Sequence, residues 1–62
     1  MTSYQQRVTD ELAEMFKLGM IKHAVFQAAV AEVKSDPEVY SDNSCMKTSE
    51  AASLAIEVVG VR

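Results

Sequence analysis

The side chains best able to do chemistry in this sequence are a single histidine, His23, and a single cysteine, Cys45. Together they would make a thiol nucleophile with its base, or two ligands of a metal. A nucleophile needs its base within hydrogen-bond reach and usually a third group to orient that base. A tetrahedral metal site needs four ligands. Nothing in the spacing of His23 and Cys45 joins them, because His23 opens an apolar segment and Cys45 sits in or beside a polar loop. They are expected to be a rim histidine and a half-buried thiol.

Asp10, Glu11 and Glu14 are the next candidates. Acid–base catalysis needs two carboxylates held in environments that separate their pKa values. These three fall on the solvated side of a helix. Arg7 precedes Asp10 and Glu11 by three and four residues, and Glu14 precedes Lys17 by three, which are ordinary helix-surface spacings. Gly19 and Gly60 are isolated, so no glycine-rich phosphate loop is present. Met1, Met15, Met20 and Met46 suit adaptable packing, with Met15 and Met20 expected to fill core space. No catalytic, cofactor-binding or metal-ligating residue is assigned, no cofactor is expected, and the chain reads as non-enzymatic. A minimal metal-dependent enzyme built across a dimer is the catalytic alternative.

The 62 residues suffice for one domain, 1–62. A chain this short buries only about 60% of its unfolded surface. One cysteine excludes an internal disulfide, so tight helix packing and self-association are the remaining ways to stabilise it. Nine acidic and six basic side chains give a net charge of −3. The basic residues Arg7, Lys17, Lys22, Lys34, Lys47 and Arg62 are scattered, which disfavours nucleic acid as a partner. Thr2, Ser3, Gln5 and Gln6 do not resemble a signal peptide. The apolar stretch from Leu18 to Val33 is interrupted by Lys22, His23, Gln27 and Glu32, too often to span a bilayer. A cytoplasmic protein with no membrane partner is expected.

Three helices account for the pattern. The first spans about 4–18, with Ser3 as cap and Gln6 completing a capping box. Tyr4, Val8, Leu12, Met15 and Phe16 form its apolar face, opposite Gln6, Thr9, Asp10, Glu14 and Lys17. Gly19 suits the left-handed position after a helix, with Met20 following to touch Met15. A kink at Gly19 within one long helix is the alternative. The second helix spans about 21–34 and is apolar on nearly all sides, leaving a polar stripe of His23, Gln27 and Lys34. A short chain has little to cover such a helix, and Ala24, Ala28 and Ala31 would admit a close partner, so a dimer is expected. Asp36-Pro37-Glu38 predicts a short helical turn near 37–40, followed by a loop over Ser41 to Ser44. The third helix spans about 49–59, capped by Thr48. Its polar stripe is Ser49, Ser53, Glu57 and Gly60, beside Glu50. The β-branched residues in the tail from Ile56 to Val61 leave a strand open there.

The segment Thr48-Ser49-Glu50-Ala51-Ala52 followed by Gly60-Val61 looks like the first helix and turn of a helix-turn-helix, as in excisionases. The sequence stops at Arg62 without a recognition helix, and the helix is longer than that motif allows. Taken whole, the chain resembles the short helical early-region proteins of lambdoid bacteriophages. The resemblance runs from Tyr4-Gln5-Gln6-Arg7-Val8-Thr9-Asp10-Glu11-Leu12 through Phe26-Gln27-Ala28-Ala29-Val30 to the Ala51-Ala52 helix. It rests on general similarity and carries over no functional residue. It implies a small non-enzymatic protein that influences the lytic or lysogenic choice or host physiology, in the bacterial cytoplasm.

The sequence therefore predicts an all-α, compact three-helix protein, dimeric, with a regulatory role through protein–protein interaction. The partner would be a second copy or a host or phage regulatory protein. The interface expected is Tyr4, Val8, Leu12 and Phe16 on the first helix with Val25, Phe26, Ala29, Val30 and Val33 on the second. Phe16, Phe26 and Tyr40 are its aromatic anchors. The second reading is a DNA-binding regulator that uses 48–62.

Overall fold

A computed structural model describes residues 2–61, apart from the side chain of Ser44; Met1 and Arg62 lie outside the described residues. The order is α1 (Ser3–Lys17), α2 (His23–Ser35), a 3-10 turn (Asp42–Ser44) and α3 (Thr48–Val61), all-α as expected. Each helix packs against both others. None is long and apolar enough to cross a membrane among the described residues.

The cap of α1 lies one residue earlier than the sequence predicts. Thr2, not Ser3, is the N-cap, and its hydroxyl accepts from the Gln5 N–H at 3.2 Å. The Gln5 side chain completes the box by accepting from the Thr2 N–H at 2.9 Å. Thr2–Gln5 and Ser3–Gln6 have the same motif spacing, so local chemistry does not choose between them. Tertiary structure does. Gln5 turns inward and is 3% exposed, whereas Gln6 faces water and donates to Asp10 Oδ1 at 3.0 Å.

Burial of an amide demands partners, since an unpaired buried donor costs about 1–3 kcal/mol. Gln5 Nε2 donates to the Val33 carbonyl at 2.8 Å. That carbonyl lies in the last turn of α2, where its helical donor would be the N–H of residue 37. Residue 37 is proline and has none. A side chain of α1 thus replaces a hydrogen bond that α2 cannot make for itself. The neighbouring Tyr4 hydroxyl donates to the Met46 carbonyl at 2.7 Å, just ahead of α3. Two consecutive residues therefore join the first turn of α1 to the end of α2 and the beginning of α3.

Gly19 separates α1 from α2 at φ +76°. Its N–H donates to Phe16 O at 3.0 Å and the Met20 N–H donates to Met15 O at 2.9 Å, which is the Schellman pattern. The break therefore holds over the kink. Met20 reaches Met15 through its backbone, and its side chain stays 66% exposed, not buried as core filling. α2 begins only at His23, since Ile21 and Lys22 complete the turn in non-helical backbone.

The buried core comprises Tyr4, Val8, Leu12, Ala29, Val33, Tyr40, Ala51, Ala52 and Ala55. The alanines let α3 approach closely. α2 is not covered on nearly all sides: only Ala29 and Val33 are fully buried. Phe26 and Val30 are half-buried against the core, and Ala24, Ala28 and Ala31 face solvent. Counting apolar residues overstated the problem, because the outward ones are alanines with little area. The whole surface is 4053 Å², against about 4,000 Å² for an average folded monomer of 6.8 kDa. The single chain is therefore about as compact as an ordinary folded monomer of its mass.

Asp36 starts the helical turn expected near 37–40. Its Oδ1 accepts from the Val39 N–H at 3.3 Å and its carbonyl accepts from Tyr40 at 3.2 Å. The stretch read as a loop after it contains the 3-10 turn. α3 runs through Gly60 to Val61, so the tail is helix, not strand.

Two outcomes test this account. Replacing Gln5 with Ala is expected to lower stability by about 1–3 kcal/mol, whereas Gln6→Ala changes it by less than about 0.5 kcal/mol. Urea denaturation of the two variants checks the contrast, and equal effects would refute the inward register. Gly19→Ala is expected to cost about 1–2 kcal/mol through its left-handed backbone, although nothing lies within 4 Å of the added methyl. A melting temperature unchanged by this substitution would contradict the assigned turn.

Candidate functional site

The two residues singled out for nucleophile or metal chemistry have different neighbours. His23 is exposed at the start of α2, and its ring lies 5.5 Å from that of Phe16, tilted by 54°. Cys45 is exposed, not half-buried, and its thiol faces the Asn43 carbonyl at 3.9 Å. Its backbone is left-handed at φ 60°, where the Cys45 N–H closes the 3-10 turn onto Asp42 O at 3.4 Å. No group of three or more His, Cys, Asp or Glu side chains among the described residues is placed to hold a metal.

Asp10, Glu11 and Glu14 do share a site with Arg7. With Thr48 they line an open groove of about 380 Å³ where the start of α3 meets α1. Asp10 and Glu14 are solvent-exposed and Glu11 is half-buried. The groove is an open surface lined by three carboxylates, one guanidinium and one threonine.

Five of the nine residues expected at an interface are instead internal. Tyr4 is 5% exposed, and Val8, Leu12, Ala29 and Val33 are 0%. Tyr40, taken as an aromatic anchor, is 1% exposed. These residues hold the three helices together, and a partner could reach them only by unfolding the chain. Periodicity finds the buried face of a helix, but it does not say whether the same chain or another one buries it. Four expected residues keep accessible surface: Phe16, Val25, Phe26 and Val30. Phe16 and Phe26 stack at 5.1 Å with their rings only 10° from parallel, linking the end of α1 to α2.

Beside this pair, Phe26, Val30 and Ala31 form the apolar part of a shallow groove of about 300 Å³, edged by Thr9, Gln27 and Lys34. A second apolar strip lies on α3, where Leu54, Val58 and Val61 flank Glu57. Leu54 and Val58 lie outside the polar stripe read from the spacing of α3, and none of the four residues that line this strip was expected at an interface. Leu18 and Val61, 67% and 83% exposed, were not assigned to any surface. The signal for Leu18 and Met20 was their position on either side of a turn-forming glycine, where there is no helix face to bury them.

The segment proposed as a partial helix-turn-helix is continuous helix over Thr48–Val61, so Gly60 and Val61 form no turn; Arg62 lies outside the described residues. No protein-family model, no curated protein and no solved structure matches this chain.

The left-handed Cys45 gives a further measurable outcome. Glycine at that position would remove about 1–2 kcal/mol of backbone strain and add about 0.5–1 kcal/mol of unfolded-state entropy. Cys45→Gly is therefore expected to raise stability by about 0.5 kcal/mol in urea denaturation. A clear loss would show that the thiol itself holds the turn.

Proposed function

We propose that the chain is a small non-enzymatic regulatory protein that acts by binding another protein, in the manner its resemblance to phage early proteins implies. The binding face is the outer side of α2 with the adjoining end of α1. The stacked Phe16–Phe26 pair carries this reading: two aromatic rings stay accessible at the edge of an apolar groove. Aromatic side chains held in a rigid setting are the usual anchors of an interface. Val30 and Ala31 extend the apolar area, and Gln27 and Lys34 supply a polar rim; Val25, half-buried on the same helix, does not line the groove. Self-association through this face is the first case to test, and a host or phage regulatory protein is the second.

The DNA-binding reading has less support. The basic residues are dispersed, and the turn that would introduce a recognition helix is helical.

Ala31 is exposed in the groove and makes no part of the core, so Ala31→Arg fills the site without disturbing the fold. A photo-crosslinking residue at the exposed Gln27, introduced into the protein in bacterial cells, is expected to give one discrete adduct. The adduct should lose most of its intensity in Ala31→Arg. Light scattering over a range of concentrations identifies whether that adduct is a second copy. The absence of a discrete adduct would overturn the proposal, as would DNA retention that falls steeply with salt.

A further inference from the structure

α2 and α3 each present a seam that the chain leaves uncovered, and both seams repeat at the same helical spacing. Gln27, Val30, Ala31 and Lys34 follow the outer groove of α2 at i, i+3, i+4 and i+7. Leu54, Glu57, Val58 and Val61 follow the strip of α3 in the same pattern. Residues so spaced make the ridges and grooves by which helices pack. The seams differ in bulk: Val30 and the short Ala31 floor the first, whereas Leu54, Val58 and the 83% exposed Val61 build the second. They also differ in charge. Among the described residues, Lys34 is the one charged side chain lining the groove and Glu57 the one lining the strip. Both are exposed. The remaining charge on α3 has the same sign as Glu57, since Glu50 lies one turn before Leu54 and Thr48–Val61 holds no basic residue. Near Lys34, Glu32 lines a separate groove with Val59 of α3, and Glu38 lies past the end of α2. Asp10, next to the groove residue Thr9, opens onto the acidic groove with Arg7.

We propose that the outer groove of α2 receives the Leu54–Val61 strip of a second copy of this chain, with Glu57 of one copy against Lys34 of the other. This rests on the reading of that groove as the binding face and names its occupant. Like against like fits worse. Two grooves face to face would gather two lysines over two hollows. Two strips would gather two Glu57 carboxylates, with Glu50 close by. Groove against strip places the larger apolar side chains over Val30 and Ala31 and gives each charge its opposite. Every copy has both faces, so contacts either close reciprocally in a pair or continue head to tail. About two turns of helix from each side make a small interface, so the association is weak and follows concentration.

Light scattering on the intact chain, followed to about 1 mM, tests this. The mass is expected to rise with concentration. Ala31→Arg, which fills the groove, is expected to stay monomeric. So is Glu57→Lys with Val61→Lys, which spoils the strip. Mixed in equal amounts the two are expected to pair, because one supplies an intact strip and the other an intact groove. Lys34→Glu and Glu57→Lys are each expected to weaken association about 10-fold, and their combination to restore it. Circular dichroism checks that the helices remain in every variant. The proposal is overturned by a wild-type chain that stays monomeric, by a mixture that stays monomeric, or by Ala31→Arg associating as the wild type does. A Gln27 adduct with a different protein, lost in Ala31→Arg, would overturn this occupant and leave the α2 groove standing as a binding face.

Discussion

The hydrogen bond from Gln5 Nε2 to the Val33 carbonyl is the constraint on which the rest of this structure depends. Pro37 suits the turn that follows α2, because its fixed φ starts a new helical turn at Asp36. α2 leaves helical geometry at Asp36, so its last carbonyls have no helical donor, and the proline brings no N–H in its place. That deficit lies in the interior, where water does not repair it. Gln5 supplies the donor, and doing so fixes the depth at which α1 sits and the residue that caps it. Tyr4 then ties the strand of chain before α3 to the same turn. No polar side-chain atom is left buried without a partner among the described residues.

Around that anchor the packing is economical in volume. Val8 and Leu12 of α1 meet Ala29 and Val33 of α2 and the alanine face of α3. Small side chains bring backbones close, so a short chain reaches interior density without many large residues. The buried Tyr40 closes the core from the connector side. Large apolar side chains left outside lie at the α1–α2 tip, in the outer groove of α2, at Val39 of the connector and along the last turns of α3. The proposed binding face follows from that distribution.

Much of the fold was legible in the sequence because it rests on local physics. The Gly19 break follows from the left-handed backbone that only glycine adopts easily. The polar stripe of α3 follows from helical spacing. So does the set Tyr4, Val8 and Leu12, although its assignment to an interface did not hold. What was not legible depended on distance in sequence. Gln5 is polar and sits next to an equally good Gln6, so its burial depends on a carbonyl contributed by α2. The cap shifted by one residue for the same reason. The tail Ile56–Val61 stays helical because Ile56 and Val59 pack on the core, and tertiary packing outweighs the modest propensity of β-branched residues. Of the candidate site, the half-exposed Phe16 and Phe26 were found. Leu18 was missed, because a residue in a turn has no periodicity to mark it.

The Val33 carbonyl belongs to the end of a helix, and a helix cannot satisfy its own last carbonyls. α2 leaves helical geometry at Asp36, and Pro37 brings no N–H that could compensate. Position 5 therefore has to carry a donor, and a hydrocarbon there leaves that carbonyl stranded. The demand comes from the far end of the α1–α2 hairpin and not from the neighbours of residue 5 in sequence. Which side chains position 5 tolerates is thus decided by a backbone group contributed by another helix, and a side chain of matching length without an N–H is expected to be rejected there.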